Sequence, residues 1–497
     1  MGISLWRFVA CLSALPIFAA CGNAGNDLGL GKNVDSGAPS LGGGGSDSSD
    51  SADSADSDSA DSDGGGGIGR DGGGGGDGGG FDGGGGIGHD GGGGGDGGGF
   101  DGGGGTGHDG VGGNGGGTVN PGTTVTLHGR VMSPSGAFPI SGALVYLTQD
   151  ALDVIPHGAY HYECDEMEGT RYTLSTPDGG WSIEGVPVGK WTIVTRKGNF
   201  RRAREINVTQ DMESSIPIEL TSLPRARTSD NLDVAPSFAV VRTSPDLTHN
   251  LLAKFGMGDV AADGSLINGT QTFDIYDDSS GSNPHTRVLF DEDRLQNYHM
   301  IFLPCNANSV GVQFVNNNVQ KLRNYVSMGG RIHNSCTVSL WTKAPFPKYI
   351  EFYGNNDTTK FDIGRISNNG YTTNGLVLDE GLGLWLPLVT GVDPSSVPFH
   401  NMFVNIAGTV NDGDGHGLEK DDGIVMPYTW VQDAQRYAGS PLMVTYNFDF
   451  GKVFYSVCET STNNANLTHQ EYVLLYIILE VGVCDNLPAL APSLDAL

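Results

Sequence analysis

The 497-residue sequence predicts a multidomain chain of three parts: an unstructured Gly/Asp/Ser-rich N-terminal tether, a small antiparallel β-sandwich, and an α/β domain built on a parallel sheet. Three observations predict it. Residues 22–117 hold almost nothing apolar, so they cannot offset the roughly 1–2 kcal/mol per residue that ordering costs. Residues 119–223 carry short apolar runs of period two, separated by Gly/Pro turns. From 231 to 486, strand-like runs alternate with helical stretches, and 487–497 form a tail. The net charge of −30 argues against nucleic-acid binding, because nothing resembles a basic stripe able to release phosphate counterions. The short cluster Arg201, Arg202 and Arg204 reads as a solvated strand edge.

The first element is a leader. Arg7 supplies a minimal positive region, residues 8–20 are apolar, and Phe18-Ala19-Ala20-Cys21-Gly22 places two small residues before a cysteine. This resembles the lipobox of bacterial lipoproteins, with Phe18 where Leu is usual. The resemblance implies a signal peptide over 1–20 and export, with a lipid on Cys21 as the membrane anchor. Gly22, rather than Asp, implies sorting to the outer membrane. The alternatives are an ordinary secretory signal or a short membrane anchor, and the stretch is short for a spanning helix.

The tether, 21–118, has two textures. Residues 46–63 alternate Ser, Ala and Asp, and like charges this close keep the chain extended. Residues 64–82 read GGGGIGRDGGGGGDGGGFD; 83–101 repeat them with His89 for Arg70, and a third copy decays after Asp109. The hexad G-G-x-G-x-D resembles the calcium-binding nonapeptide of RTX β-rolls. A β-roll needs an apolar residue in every turn, however, and only Phe81 and Phe100 serve the first two copies. A solvated leash is expected, with an r.m.s. span of about 50–60 Å.

In the sandwich, strands are expected over 125–131 and 143–147, with Pro134-Ser135-Gly136 a turn between them. Further strands are expected over 181–189, 191–194 and 216–220. Gly129-Arg-Val131, the run from Pro139 to Leu147, Thr176-Pro-Asp-Gly-Gly-Trp181 and the run from Gly185 to Ile193 together resemble the carboxypeptidase regulatory-like domain, a transthyretin-like sandwich. The resemblance implies an accessory or adhesion module without peptidase chemistry, related to carbohydrate-binding folds. A loop over 150–173, holding Cys164, departs from a minimal copy.

The α/β part opens with a strand at 238–242, after which Ser244-Pro245-Asp246 is expected to cap a helix running to about 255. Strands follow at 273–276 and 300–303. A helix over 319–328 stops at Gly329-Gly330, and a strand covers 331–334. Residues 443–446 and 452–456 are expected to form a hairpin, with a closing helix over 468–481. Tyr298-His-Met-Ile-Phe-Leu-Pro-Cys305, the run from Leu322 to Gly330 and Gly451-Lys-Val-Phe-Tyr-Ser456 resemble the class I glutamine amidotransferase-like fold, including its ThuA-like relatives. The resemblance implies a flavodoxin-like parallel sheet. Residues 221–236 read equally as a tight joint or a hinge.

With Cys11 in the leader and Cys21 lipidated, Cys164, Cys305, Cys336, Cys458 and Cys484 remain. Export permits disulfides, and an odd count leaves one thiol over. No CxxC, HExxH or Cys/His cluster marks a structural zinc site. Ligands of open α/β sheets bind beyond the carboxyl ends of the strands, where Cys305, Cys336 and Cys458 fall. A thiol hydrolase of the resembled family would place its nucleophile near Cys336, but the flanking glycines are absent. The slot for its base holds Val457-Cys458-Glu459. His333 is the candidate substitute for that base, but a residue three before Cys336 on the same strand is poorly placed to reach it. Alternatively, Cys305 and Cys336 pack as small hydrophobes or form a disulfide, which would stabilise by roughly 3–4 kcal/mol. Asn411-Asp-Gly-Asp-Gly-His-Gly417, followed by Glu419, makes Asp412, Asp414 and Glu419 a calcium candidate, with an acidic surface loop as the alternative. No other cofactor is expected.

The expectation for the whole chain is a non-catalytic, lipid-anchored envelope protein binding a glycan or another envelope protein. The alternative is an amidase-type or ThuA-like hydrolase using Cys336.

Overall fold

The computed structural model describes residues 122–163, 167, 169–210, 215–279, 281–354, 356–410, 427–460 and 464–483. The leader, Cys21, the tether, Cys164, Cys484 and the calcium candidate Asp412, Asp414 and Glu419 lie outside them.

The first six strands are β1 (Thr124–Arg130), β2 (Leu144–Thr148), β3 (Arg171–Leu174), β4 (Gly180–Pro187), β5 (Gly189–Lys197) and β6 (Phe200–Val208). β1 pairs with β4, and a five-stranded sheet runs β3-β2-β5-β6-β7, where β7 is Asp233–Val234. Every pairing is antiparallel. Alternation along β4 buries Trp181 and Ile183, which join Leu127, Val145 and Ile193 in the core. The strand expected at 216–220 is instead a helical turn, Ile218–Thr221. Pro217 lacks the N–H that a ladder needs, and Thr221 Oγ1 donates to Arg130 O at 2.7 Å.

The arginine cluster is also not a solvated edge. Arg202 and Arg204 both bond the Asp233 carboxylate of β7, and Arg201, 3% exposed, donates to Asp153 O and Asn231 O. These guanidinium groups staple the end of the sandwich to the chain that leaves it.

The larger sheet has nine strands. Its parallel half comprises β8 (Phe238–Val241), β9 (Asp274–Tyr276), β10 (Met300–Leu303), β11 (Arg331–Ser335) and β18 (Gly451–Ser456). The rest is β13 (Tyr371–Val377), β14 (Val397–Met402), β16 (Tyr428–Asp433) and β17 (Pro441–Phe448), in the spatial order β14-β13-β16-β17-β18-β11-β10-β8-β9. The expected parallel sheet is therefore mixed. From β18 outward every pairing is antiparallel, and the two-residue turn Asp449-Phe450 can join β17 to β18 only in that sense. β12 (Ile350–Phe352) and β15 (Ile406–Thr409) make a separate small pair.

The expected capped helix begins late, at Thr248, with no side-chain cap, because Asp246 is turned inward for another purpose. The closing helix spans His469–Val481 and carries a capping box between Thr468 and Glu471. No helix among the described residues is long and apolar enough to cross a membrane.

The sandwich and the α/β part share one core. Phe138 packs edge-on against Trp385 and Tyr472 and tilts onto Phe255. Trp385 Nε1 donates to Pro139 O at 2.9 Å, and buried Lys197 pairs with Glu480 on the closing helix.

Candidate functional site

Four loops converge beyond the carboxyl ends of the parallel strands, where an open sheet leaves a crevice. The loop after β8 carries Asp246, the loop after β10 carries Cys305, the end of β11 leads into Cys336, and β18 is followed by Cys458 and Glu459. Cys336 sits at φ 55°, in the left-handed region that non-glycine residues rarely adopt, between a strand and a short helical turn. Tyr455 holds this bend by donating its hydroxyl to Cys336 O at 2.6 Å.

Asp246 organises the floor. One oxygen accepts from Cys305 N at 3.0 Å and Ser335 Oγ at 2.6 Å. The other accepts from Thr460 N, Thr460 Oγ1 and Thr248 Oγ1. Ser335 Oγ also lies 2.9 Å from Cys305 N, and Cys305 Sγ lies 3.1 Å from Thr337 Oγ1. The Cys305 and Cys336 sulfurs and a Glu459 carboxylate oxygen lie within 4.8 Å of one another, all three residues buried.

The electrostatics are one-sided. Burial pushes the Cys336 thiol well above its ordinary value, and Cys305, Glu459 and Asp246 add to the shift. Burial, with the Asp246 charge, raises the Glu459 carboxyl to about 7, against a smaller lowering by its contact with Cys305. Burial raises the Cys458 thiol as well. No Lys or Arg pairs with Asp246 or Glu459 among the described residues. Above the cluster opens a cavity of about 360 Å³, walled by Pro245, Cys305, Asn306, Thr337, Arg365 and Glu459 among others.

The structure brings the Cys305 and Cys336 sulfurs together without a bond between them. His333 is elsewhere. It stacks on Phe454, meets Phe302 edge-on, and its Nε2 lies 3.1 Å from Ser456 Oγ. Burial lowers it to about 3. Asp246, Thr337 and Arg365 were not legible as site residues. Asp246 looked like a helix cap, and Arg365 comes from a stretch without strong periodicity.

No protein-family model matches the chain, and no curated protein matches it. Among solved structures, a cytoplasmic protein of Salmonella typhimurium is 12% identical at TM-score 0.27, over 46% of this chain and 89% of that one. A second cytoplasmic protein, from Salmonella typhimurium LT2, is 10% identical at TM-score 0.29, over 49% of this chain and 99% of that one. The β-galactosidase of Bacillus circulans sp. alkalophilus is 10% identical at TM-score 0.24, over 49% of this chain and 31% of that one. No function is carried over from them.

Proposed function

We infer that this is an exported lipoprotein, anchored through Cys21 at the outer membrane. Its folded part binds a glycan or an envelope protein without catalysing a reaction. The resemblance of the sandwich to carboxypeptidase regulatory-like modules, and of the parallel half-sheet to the flavodoxin-like amidotransferase core, supports a binding scaffold. The observation that carries the non-catalytic reading is the state of Cys336. It is fully buried, its thiol is held protonated among acidic neighbours, and His333 is committed to Ser456 and two aromatic rings. A thiol nucleophile needs an accessible sulfur, a lowered pKa and a base in reach.

A thiol hydrolase is the second reading, favoured by one observation. The left-handed φ of Cys336 between strand and helix is the backbone geometry of a nucleophile elbow. Timed alkylation of the native protein, with a panel of amide and ester substrates, decides between the two readings. Binding predicts that Cys336 reacts as slowly as Cys458 near neutral pH and that turnover does not exceed the Cys336→Ser background. A Cys336 that alkylates fastest, with turnover lost in that variant, establishes the hydrolase. For the anchor, Cys21→Ala should abolish incorporation of labelled fatty acid and release the chain from the membrane fraction. Retained label would overturn the lipidation.

A further inference from the structure

The convergence of three donors at the strand ends has a use that neither binding by the sandwich nor thiol hydrolysis explains. We propose that Cys305, Cys336 and Glu459 bind a divalent transition-metal ion of the Zn²⁺ type, with the ion's remaining position open to the cavity.

The donors have the right chemistry. Two thiolates and one carboxylate form a mixed soft and hard set that suits Zn²⁺ and excludes Ca²⁺ or Mg²⁺, which take oxygen ligands. They also have nearly the right spacing. Donors at Zn–S and Zn–O lengths of about 2.0–2.3 Å around one tetrahedral ion lie roughly 3.5–4 Å apart. The three atoms here fall within 4.8 Å of one another, so small side-chain rotations gather them.

Two independent observations point to a cation. Glu459 is only 3% exposed, yet its Oε2 has no hydrogen-bond partner. A buried carboxylate oxygen left unpaired is costly unless something positive meets it. Furthermore, two carboxyl groups and two thiols share this buried corner with no Lys or Arg ion pair to either acid among the described residues. Asp246 is satisfied by its five hydrogen bonds, whereas nothing cationic meets Glu459 among the described residues, and buried charges are paired or ligate metals.

The surroundings resemble an outer shell. Thr337 Oγ1 is placed to donate to the Cys305 sulfur, Asp246 and Ser335 fix the Cys305 backbone, and Tyr455 fixes that of Cys336. Cys305 and Glu459 also line the cavity, so three protein ligands leave a fourth position facing it. Binding would displace the two thiol protons to solvent.

The test uses the full chain, reduced and stripped with a chelator, then titrated with Co²⁺ alone and with Zn²⁺ alone. One Co²⁺ per chain with a thiolate-to-cobalt charge-transfer band, displaced by Zn²⁺, is the expected result. The Cys305→Ser/Cys336→Ser double variant should lose the band and Cys458→Ser should keep it. Glu459→Gln, with an unchanged circular-dichroism spectrum, should weaken Zn²⁺ binding by about tenfold or more. Absence of the band in the wild-type chain, or its survival in the Cys305→Ser/Cys336→Ser double variant, overturns the site. So does a Cys305–Cys336 disulfide in protein alkylated at lysis.

Discussion

Asp246 accepts five hydrogen bonds from four residues, and three of those residues lie in distant parts of the chain: Cys305, Ser335 and Thr460. Asp246→Ala strands buried donors on three loops at once and should cost about 3–5 kcal/mol, read from urea unfolding. Asp246→Asn keeps one accepting oxygen and should recover about half of that loss. Equal losses in the two variants would show that the carboxylate merely fills space. A second residue-scale prediction concerns His299, whose Nδ1 accepts from Ser237 N at 2.9 Å. Burial lowers it to about 3 from an ordinary 6.5; Arg331, Arg227 and His157 push the same way, against the Pro156 carbonyl. From pH 6.5 down to about 3 the unfolded chain takes up a proton that the native state refuses, so stability falls as pH falls. His299→Asn keeps an acceptor for Ser237 and should flatten that limb by up to about 1.4 kcal/mol per pH unit. An unchanged slope between pH 7 and 5 would refute it. Single residues were the hardest scale to foresee. Cys336 was legible because a strand ends beside it, whereas Asp246 follows Ser244-Pro245 and sequence alone cannot tell a cap from an inward-turned acid.

At the scale of elements, the closing helix shows how local signals and tertiary pairing combine. Thr468 and Glu471 form the capping box that fixes the start of His469–Val481, and Glu471 also meets Lys254 at 3.0 Å with both side chains almost wholly buried. Thr468→Ala should therefore cost about 1 kcal/mol. Lys254→Met leaves Glu471 as a buried charge and should cost about 3–5 kcal/mol, while adding Glu471→Gln, which keeps an acceptor for Thr468 N, should restore most of it. A double variant no better than the single one would show that the pair supplies net stability itself. Elements with a strong period were legible: 300–303 and 331–334 are strands within a residue of expectation, and the helix expected over 319–328 spans Val319–Ser327. The excursion between β11 and β17 was not. Its strands pair with partners far along the chain, and β13 buries only alternate residues weakly, leaving Asn374 and Leu376 partly exposed. β3 was missed because Arg171–Leu174 has no buried residue to set a pattern.

For the whole molecule, the sandwich and the α/β part should unfold as one. Residues 221–236 could have been a hinge by sequence, since a polar stretch with prolines looks the same in either role. The structure makes them a joint: β7 closes the sandwich sheet, Asp233 takes two arginines, and four residues later β8 begins the larger sheet. Phe138 then carries the sandwich's apolar surface into a ring of Phe255, Trp385 and Tyr472. Gly256 lets the backbones meet: at φ 118°, a Cβ there would stand 2.3 Å from Ser135 N. Scanning calorimetry of the full chain should show a single transition for both parts. Phe138→Ala should cost about 3–5 kcal/mol of stability and move that single transition down, and Gly256→Ala should move it down too through strain at the joint. If the parts were merely tethered, the calorimetric trace would split in two, and Phe138→Ala would move only the sandwich's share. A shared shift is the outcome that an interior aromatic cluster requires, because the same rings belong to both cores.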